Sequence, residues 1–214
     1  MTCGGTGGHI NPAIAVANRI KMISPGAEIA FVGTEKGMES SLVPKAGYPI
    51  RFVKVRGFKR KLTLANIDAA IKAVTSVVAA KRIIRDFQPD VVIGTGGYVS
   101  WPTVKAAAKL GVPTLIQEQN AFPGVTQRML AKYADKICVS FEESRKFFDA
   151  SVQDKILLTG NPVSASGITR AQAREKLGLE PGALYVVSSG GSLGAEKVNE
   201  YVFEVIGSYT GPKG

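Results

Sequence analysis

The sequence predicts an α/β protein with a Rossmann-like parallel sheet and helices on both faces of that sheet. Three observations lead to this prediction. Short apolar segments alternate with helical segments of about 10–20 residues along the chain. Glycine-rich loops follow several of the apolar segments. Hydrophobic residues make up 45% and charged residues 21% of the 214 positions, which is typical of a packed globular protein.

The helices of the first part of the chain are predicted from apolar residues spaced three and four apart. The first has Ile14, Ala17 and Ile20 near one face, and Pro12 lies close to its start, where a missing N–H costs little. The long third helix ends before Pro89. The predicted helices cover residues 12–22, 38–46, 66–86, 102–110, 125–133 and 142–148.

The strands are predicted from short apolar runs that end at glycine or at another turn residue. The predicted strands cover residues 28–32, 50–55, 91–93, 114–116, 136–140 and 155–158. Residues 1–3 run straight into glycines, so we expect a truncated first strand. Helical connections make the sheet parallel, and ligands of such sheets bind beyond the carboxyl ends of the strands.

The alternation pauses near Gly160-Asn161-Pro162, which divides the chain into two predicted domains. Residues 1–163 form the first. Residues 164–214 begin a second Rossmann-like domain, with a helix over 170–177, a strand over 184–188 and a helix over 196–206. One strand and two helices cannot bury a core of their own, so we expect this second domain to be incomplete.

The chain carries a formal charge of +10, which suits an anionic partner such as nucleic acid, an acidic membrane surface or a phosphorylated substrate. Ten basic residues and one acid lie between Arg51 and Arg85, and a solvated face is the alternative interpretation of this run. Cys3 and Cys138 lack metal-ligand spacing, which favours a reducing cytosolic compartment. No apolar run reaches the roughly 20 residues of a membrane span.

Three glycine-rich loops lie between a predicted strand and a helix, at residues 4–9, 94–98 and 190–195. Glycines let a ligand approach the backbone, and a helix start offers free N–H groups, so such loops bind phosphate. A tight turn is the alternative for any single loop. The P-loop lysine is absent, and Ile10 takes the place of the third glycine of a dinucleotide fingerprint. No Asp-x-Asp pair is present to hold Mg²⁺, so we expect backbone amides, helix dipoles and side chains to stabilise a diphosphate.

Candidate catalytic groups follow the first loop and the fourth strand. His9, the only histidine, is suited to act as a general base for a sugar hydroxyl, and a residue that merely caps the loop is the alternative interpretation. Glu118 is a second base or orients one, and Asn120 is suited to bind a sugar hydroxyl or an amide. An ordinary polar loop is the alternative for Glu118-Gln119-Asn120.

Five motifs occur in the order seen in the MurG family, the undecaprenyl-diphospho-muramoylpentapeptide β-N-acetylglucosaminyltransferases. They are TCGGTGGHINPA at 2–13, GTGGYVS at 94–100, EQN at 118–120, GNPV at 160–163 and GGSLGA at 190–195. This resemblance implies a two-domain GT-B fold with its active site between the domains. It also implies an inverting, metal-independent transfer of GlcNAc from UDP-GlcNAc to the 4-hydroxyl of undecaprenyl-diphospho-MurNAc-pentapeptide in peptidoglycan synthesis, with no cofactor.

The resemblance also assigns roles to individual residues. It implies His9 as the base, with Glu118 as a second catalytic candidate. Donor contacts are implied for Thr6, Gly7, Gly8, Asn120 and Ser192. The acceptor diphosphate is implied to lie at Gly5, Gly96, Gly97 and Tyr98. Two positions depart from the family, since Ser164 replaces its usual arginine and Gln117 its usual histidine. Because most of the donor domain is missing, we expect no turnover by the isolated chain.

The basic segment gains a specific role from the resemblance. The MurG family works at the cytoplasmic face of the bacterial cell membrane as a peripheral protein, where anionic lipids contribute roughly 1 kcal/mol per nearby Lys or Arg. The residues expected at this surface combine apolar and basic types: Phe58, Lys59, Arg60, Lys61, Leu62 and Leu64. We therefore expect an anionic membrane, and not nucleic acid, as the partner of this segment.

Two alternative functions remain open at this point. One is a non-catalytic, membrane-recruiting half of a split glycosyltransferase, although residues 164–214 argue against it because such a half has no reason to begin a second domain. The other is a different GT-B enzyme, such as a diacylglycerol glycosyltransferase or a UDP-GlcNAc epimerase. A downstream domain in the same reading frame would exclude the first alternative, and an assay with lipid-linked MurNAc against diacylglycerol as acceptor would separate the second.

Overall fold

The computed structural model describes residues 1–55, 65–164, 167–190 and 195–208, with side chains from residue 75 onward in the helix that begins at Ala65. The chain divides into two compact units, Met1–Ser164 and Ala165–Gly214. The first unit alternates strands and helices in the predicted order, and all its strand pairs are parallel. The predicted fold class is confirmed.

The first unit contains six strands and five α-helices among the described residues. The strands are β1 Phe31–Gly33, β2 Ile50–Phe52, β3 Val92–Gly94, β4 Thr114–Glu118, β5 Lys136–Val139 and β6 Ile156–Leu158. The helices are α1 Gly7–Ile23, α2 Glu39–Lys45, α3 Ala65–Phe87, α4 Ser100–Lys109 and α5 Val125–Leu130. Two 3₁₀ helices, Glu142–Phe147 and Ala150–Lys155, precede β6. The segment predicted as a sixth α-helix is therefore a 3₁₀ helix.

The amino-terminal residues connect the two parts of the sheet. Thr2 forms parallel bridges to Val32 of β1 and to Gly94 of β3. Its N–H donates to the carbonyl of Ile93 at 2.8 Å, and the N–H of Val32 donates to the carbonyl of Met1 at 2.9 Å. The spatial order is thus β2, β1, the Thr2 segment, β3, β4, β5 and β6. This is a doubly wound order, and its direction reverses between the Thr2 segment and β3.

The helices lie on opposite faces of this sheet. Successive residues of a strand point to opposite faces, so Phe31 and Val32 of β1 mark two separate cores. Phe31 packs with Ile10, Ala13 and Ala17 of α1. Val32 belongs to the larger core, to which α3, α4 and α5 contribute. Helix α1 therefore covers the face opposite to α4, with both helices beginning at the carboxyl edge.

A cavity of about 510 Å³ lies at the amino edge of the sheet. Its lining includes Met1, Ala30 and Val91, which precede or begin the central strands. The glycine loops follow the carboxyl ends of the same strands, so this cavity lies at the other edge from them. Among the described residues, no helix has both the length and the apolar character needed to cross a bilayer.

The second unit contains two helices among its described residues, α6 Arg170–Lys176 and α7 Glu196–Ser208. Thr169 and Gln172 form a reciprocal capping box at the start of α6. The strand predicted over 184–188 is wrong, because this segment is exposed and pairs with no strand in residues 167–190 or 195–208. Apolar residues form a strand only where a neighbour takes up their backbone hydrogen bonds.

Candidate active site

Two glycine loops meet where the strand order reverses. We call residues 4–8 the first loop and residues 95–98 the second loop. Gly97 has a φ of +81°, and a Cβ atom there would overlap the carbonyl oxygen of Gly4. Gly4 is itself enclosed by Val99 and Glu39. These glycines are needed so that two backbones can touch, and the contact brings both loops to the crevice where ligands of doubly wound sheets bind.

His9 lies at this junction, in the first turn of α1. Its main-chain carbonyl accepts a hydrogen bond of 2.7 Å from the Thr95 hydroxyl, which ties the helix start to the second loop. The imidazole is half-buried and lies against Gly96, where a Cβ atom would come within 2.5 Å of the ring nitrogen Nδ1. Nδ1 is 3.0 Å from Oε1 of Gln119. The ring is therefore held between the second loop and the residue that follows β4.

The start of α1 leaves hydrogen-bond donors without a partner. Thr6 is the N-cap residue, with extended φ and ψ of −133° and 159°, but its hydroxyl does not cap the helix. Within the described part of the chain, the N–H groups of Gly7 and Gly8 meet no acceptor. These donors and the positive end of the helix dipole make this helix start suitable for an anion.

Gly5 differs from its neighbours because its N–H already has an acceptor. It donates to Oε2 of Glu39 at 3.2 Å. Glu39 is fully buried, and its other oxygen accepts hydrogen bonds from the N–H of Thr34 at 2.9 Å and from the Thr34 hydroxyl at 2.7 Å. Glu39 thus anchors the first loop from behind. Sequence reasoning missed it, because an acidic residue in the first turn of a helix normally faces solvent.

Tyr98 closes the side of the first loop that is near Glu39. Its hydroxyl lies 3.4 Å from the Thr34 hydroxyl, and its ring faces Gly5. The N–H groups of Gly96, Gly97 and Tyr98 meet no acceptor within the described ranges. The second loop therefore offers a further set of amide donors. Gly97 and Tyr98 are half-buried, so part of each residue is open to solvent.

Glu118 ends β4 and is only 1% exposed. Its Oε1 accepts hydrogen bonds from the N–H and the side-chain amide of Asn120, both at 2.8 Å. Its Oε2 accepts one from the N–H of Gly124 at 2.9 Å. The carboxylate thus folds the loop that follows β4 back on itself. Within the ranges that the structure describes, the side-chain oxygen of the exposed Asn120 has no partner and is available to accept a hydrogen bond.

Two glutamines behind His9 make contacts that the sequence did not predict. Gln119 donates from Nε2 to the carbonyl of Thr95 at 2.7 Å and to that of Gln117 at 3.2 Å. Gln117 is buried and donates to the Ser140 hydroxyl at 3.1 Å. In the sequence, these residues were notable only for their positions in a motif. Their contacts could not be predicted, because their partners come from the second loop and from the end of β5.

The two cysteines take no part in this site. Burial raises the pKa of the Cys3 thiol to about 12, and the negative charge of Glu39 adds to the effect. Burial also raises the pKa of Cys138. A thiol whose pKa is raised by burial is a poor nucleophile near neutral pH.

The remaining sequence predictions fall elsewhere. Ser192 and the expected membrane segment, Phe58, Lys59, Arg60, Lys61, Leu62 and Leu64, lie outside the described residues. Ser164 is exposed at the end of the first unit. Within the described ranges, no three His, Cys, Asp or Glu side chains are grouped so as to hold a metal ion.

Relatives of this chain include curated N-acetylglucosamine transferases. A UDP-N-acetylglucosamine–N-acetylmuramyl-(pentapeptide) pyrophosphoryl-undecaprenol N-acetylglucosamine transferase of Alkaliphilus oremlandii is 46% identical over 211 residues, covering 98% of this chain and 57% of its own length. The protein of the same name from Phocaeicola vulgatus is 49% identical over 205 residues, covering 94% of this chain and 54% of its own. The chain therefore spans a little over half the length of these relatives.

A solved structure supports the same relationship. The crystal structure of Acinetobacter baumannii MurG matches with a TM-score of 0.62 and 33% identity, over 78% of this chain and 45% of that one. The model of the glycosyltransferase family 28 N-terminal domain matches residues 1–139. The resemblance to the MurG family is thereby confirmed, and the chain belongs to glycosyltransferase family 28, of which it carries the N-terminal domain.

Proposed function

We propose that this chain provides the acceptor-binding part of an enzyme that transfers GlcNAc from UDP-GlcNAc to undecaprenyl-diphospho-MurNAc-pentapeptide. The observation that supports this most is the juxtaposition, at the switch point of the sheet, of the lone histidine and the free amides of Gly7 and Gly8. The curated relatives carry names that state this reaction. Transfer by the whole enzyme needs the remainder of the donor domain as well.

In the proposed reaction, His9 takes the proton from the 4-hydroxyl of the MurNAc residue. The resulting oxygen attacks the anomeric carbon of GlcNAc, and the bond from that carbon to the UDP oxygen breaks. The electron pair leaves with UDP, the proton stays on the imidazole, and the configuration at the anomeric carbon is inverted. The imidazole is half-buried and held on one side, as a positioned general base requires.

We assign the stabilisation of diphosphate charge to main-chain amides. Thr6, Gly7 and Gly8 face the leaving UDP in this proposal, because their donors are open at the positive end of α1. The acceptor diphosphate takes the amides of the second loop, Gly96, Gly97 and Tyr98. Gly5 contributes through its backbone shape, since its N–H is bound to Glu39. The reaction then needs no metal ion.

Glu118 acts in this proposal by orienting Asn120. Its carboxylate accepts three hydrogen bonds from the loop that follows β4, and it is almost fully buried. A carboxylate with these partners serves better to position the loop than to remove a proton from a sugar. Asn120, which is exposed and follows Gln119 in the chain, then contacts the donor sugar, and Ser192 adds a donor contact from the second domain.

We further propose that residues 1–163 bind the acceptor and the anionic cytoplasmic face of the membrane, and that residues 164–214 begin the UDP-sugar-binding domain. The charge of +10 and the basic run between Arg51 and Arg85 support membrane contact. Replacing Lys59, Arg60 and Lys61 with glutamate should abolish binding to anionic vesicles, as measured by sedimentation. Unchanged binding would exclude this segment.

The transfer activity is tested on an extended protein. Residues 1–214 are joined to the part of the Alkaliphilus oremlandii relative that follows its matched region, and GlcNAc transfer to lipid-linked MurNAc-pentapeptide is measured. We expect turnover that persists in EDTA and falls at least about 100-fold in His9→Ala, which is typical of losing a general base. Transfer to diacylglycerol alone, or full activity of His9→Ala, would contradict the proposal. The isolated chain serves as the inactive control.

A further inference from the structure

We propose that Gln119 is a positioning residue that holds His9 in the tautomer with its proton on Nδ1, so that Nε2 is the nitrogen free to accept a proton. The catalytic meaning of this arrangement rests on the function proposed above. The tautomer itself does not, because it follows from the hydrogen bonds around one glutamine side chain.

The direction of the Gln119 amide is determined by its neighbours. Nε2 lies 2.7 Å from the carbonyl oxygen of Thr95 and 3.2 Å from that of Gln117. Both oxygens only accept hydrogen bonds, so the group that faces them must be the donor. Rotating the amide by half a turn would place Oε1 against these oxygens, with no proton between them. The NH₂ group therefore faces the carbonyls, and Oε1 faces His9.

The proton on the imidazole follows from that direction. Oε1 of Gln119 lies 3.0 Å from Nδ1 of His9 and has no proton to donate. The hydrogen bond exists only if Nδ1 carries the proton. In a neutral imidazole the second nitrogen then holds the lone pair. The main-chain bond from Thr95 holds the start of α1 against the second loop, and the ring lies against Gly96.

Gln117 supports Gln119 from the interior. Its side-chain oxygen is a further acceptor for Nε2 of Gln119. Its own Nε2 is held by the Ser140 hydroxyl at 3.1 Å and by the carbonyl of Glu118 at 3.2 Å. The MurG family usually has histidine at this position, so in this chain both supporting side chains are amides that neither gain nor lose a proton. The direction of the hydrogen bonds is thus set by fixed donors and acceptors.

The tautomer is measured directly by NMR on the 214-residue chain. His9 is the only histidine, so a two-bond ¹H–¹⁵N spectrum of protein made without a histidine tag contains one imidazole. Above the pH at which the ring becomes neutral, we expect Nδ1 to show the shift of a protonated ring nitrogen and Nε2 that of an unprotonated one. In Gln119→Leu we expect the proton to move largely to Nε2, which an imidazole in water prefers.

A matched control is offered by Gln153, a half-buried glutamine whose Nε2 also donates to two carbonyls, those of Arg145 and Phe148. Gln153→Leu loses similar hydrogen bonds but should leave the imidazole spectrum unchanged. Amide spectra of both variants show whether the fold is kept. A wild-type ring protonated on Nε2, or one whose tautomer is the same in Gln119→Leu, would overturn the proposal.

The extended protein separates this proposal from the proposed function. We expect Gln119→Leu to lower kcat about 10- to 100-fold, since a misoriented base loses much of its contribution, with little change in the KM for UDP-GlcNAc. If the tautomer changes while kcat does not, the assignment of the tautomer is supported and His9 is excluded as the base.

Discussion

Glycines at the site fall into two groups that differ in what their missing side chain provides. Gly96 and Gly97 of the second loop have φ values of +118° and +81° and lie directly against His9 and Gly4. Gly7 and Gly8 at the start of α1 are helical, and a Cβ atom there would meet only ordinary contacts at 3.7 Å and 3.6 Å. In the first group, Gly97 lets two backbones touch and Gly96 makes room for the imidazole. The second leaves N–H groups open to a ligand.

The comparison shows that a glycine-rich motif does not have one physical meaning. From the sequence, all these glycines were interpreted as parts of phosphate-binding loops. In the structure, those of the second loop also make close contacts that require glycine, whereas those at the helix start make none and have only open N–H groups. Substitutions can test the difference. Those in the first group should mainly lower the stability of the fold, whereas those at the helix start that remove an N–H should mainly weaken ligand binding.

The largest effect is expected at Gly97. In Gly97→Ala, a Cβ atom would overlap the carbonyl of Gly4 while φ remains in the left-handed region. We expect a loss of stability on the order of 4 kcal/mol, as for other severe backbone clashes. Urea unfolding followed by the fluorescence of Trp101, the single tryptophan, measures it.

Gly111→Ala is the control for that change. Gly111 has a similar φ of +73° but open space around it. We expect this variant to lose only the roughly 1–2 kcal/mol of a left-handed alanine. Equal losses in the two variants would mean that the contact between the loops is not the reason for glycine at position 97.

An intermediate effect is expected at Gly96. Gly96→Ala brings a Cβ atom to 2.5 Å from Nδ1 of His9 and should cost about 2 kcal/mol through strain and displacement of the ring. In a His9→Ala background, the part due to the ring should disappear, leaving only the cost of φ. A double-mutant cycle in urea measures this coupling. Additive losses would show that the imidazole does not lie against Gly96.

The smallest effect on stability, with the clearest effect on binding, is expected at Gly7. Proline is tolerated at the first position of a helix, and Thr6 before it is already extended. Gly7→Pro should therefore change stability by less than about 1 kcal/mol while removing one N–H. We expect pyrophosphate to bind about tenfold more weakly, as judged by calorimetry, in line with one hydrogen bond to a charged group.

Gly7→Ala keeps the N–H and is the matched control for that variant. Its Cβ atom meets only the side chain of Asn11, at 3.7 Å. Equal affinities of Gly7→Pro and Gly7→Ala for pyrophosphate would remove the Gly7 amide from the proposed site.

Local patterns in the sequence predicted most of the architecture. Alternating strands and helices and the parallel sheet follow from periodicity and turn residues. The start of α1 was predicted at Pro12 but lies at Gly7, because tertiary contacts outweigh the low helix propensity of two glycines. The strand predicted over 184–188 is absent because tertiary contacts are lacking: its apolar residues find no strand to pair with in the described part of that unit.

The candidate site could be predicted less completely, and Glu39 and Gln119 show why. His9 and Asn120 were recognisable from their types and positions after strands. Glu39 and Gln119 were not, because Glu39 acts on Gly5, 34 residues away, and Gln119 acts on a histidine 110 residues away. Carboxylates and amides are common on protein surfaces, so residue type carries little information until the fold supplies the partner.

The 110 residues between His9 and Gln119 also bear on how the protein matures. During synthesis the histidine precedes the amide that we propose orients it by 110 residues, with β1 to β4 between them. Contacts so distant in sequence carry a loop-closure cost that slows their formation. On the proposal made above, the imidazole therefore takes its defined tautomer only after β4 has joined the sheet, and a partly folded domain lacks the oriented base.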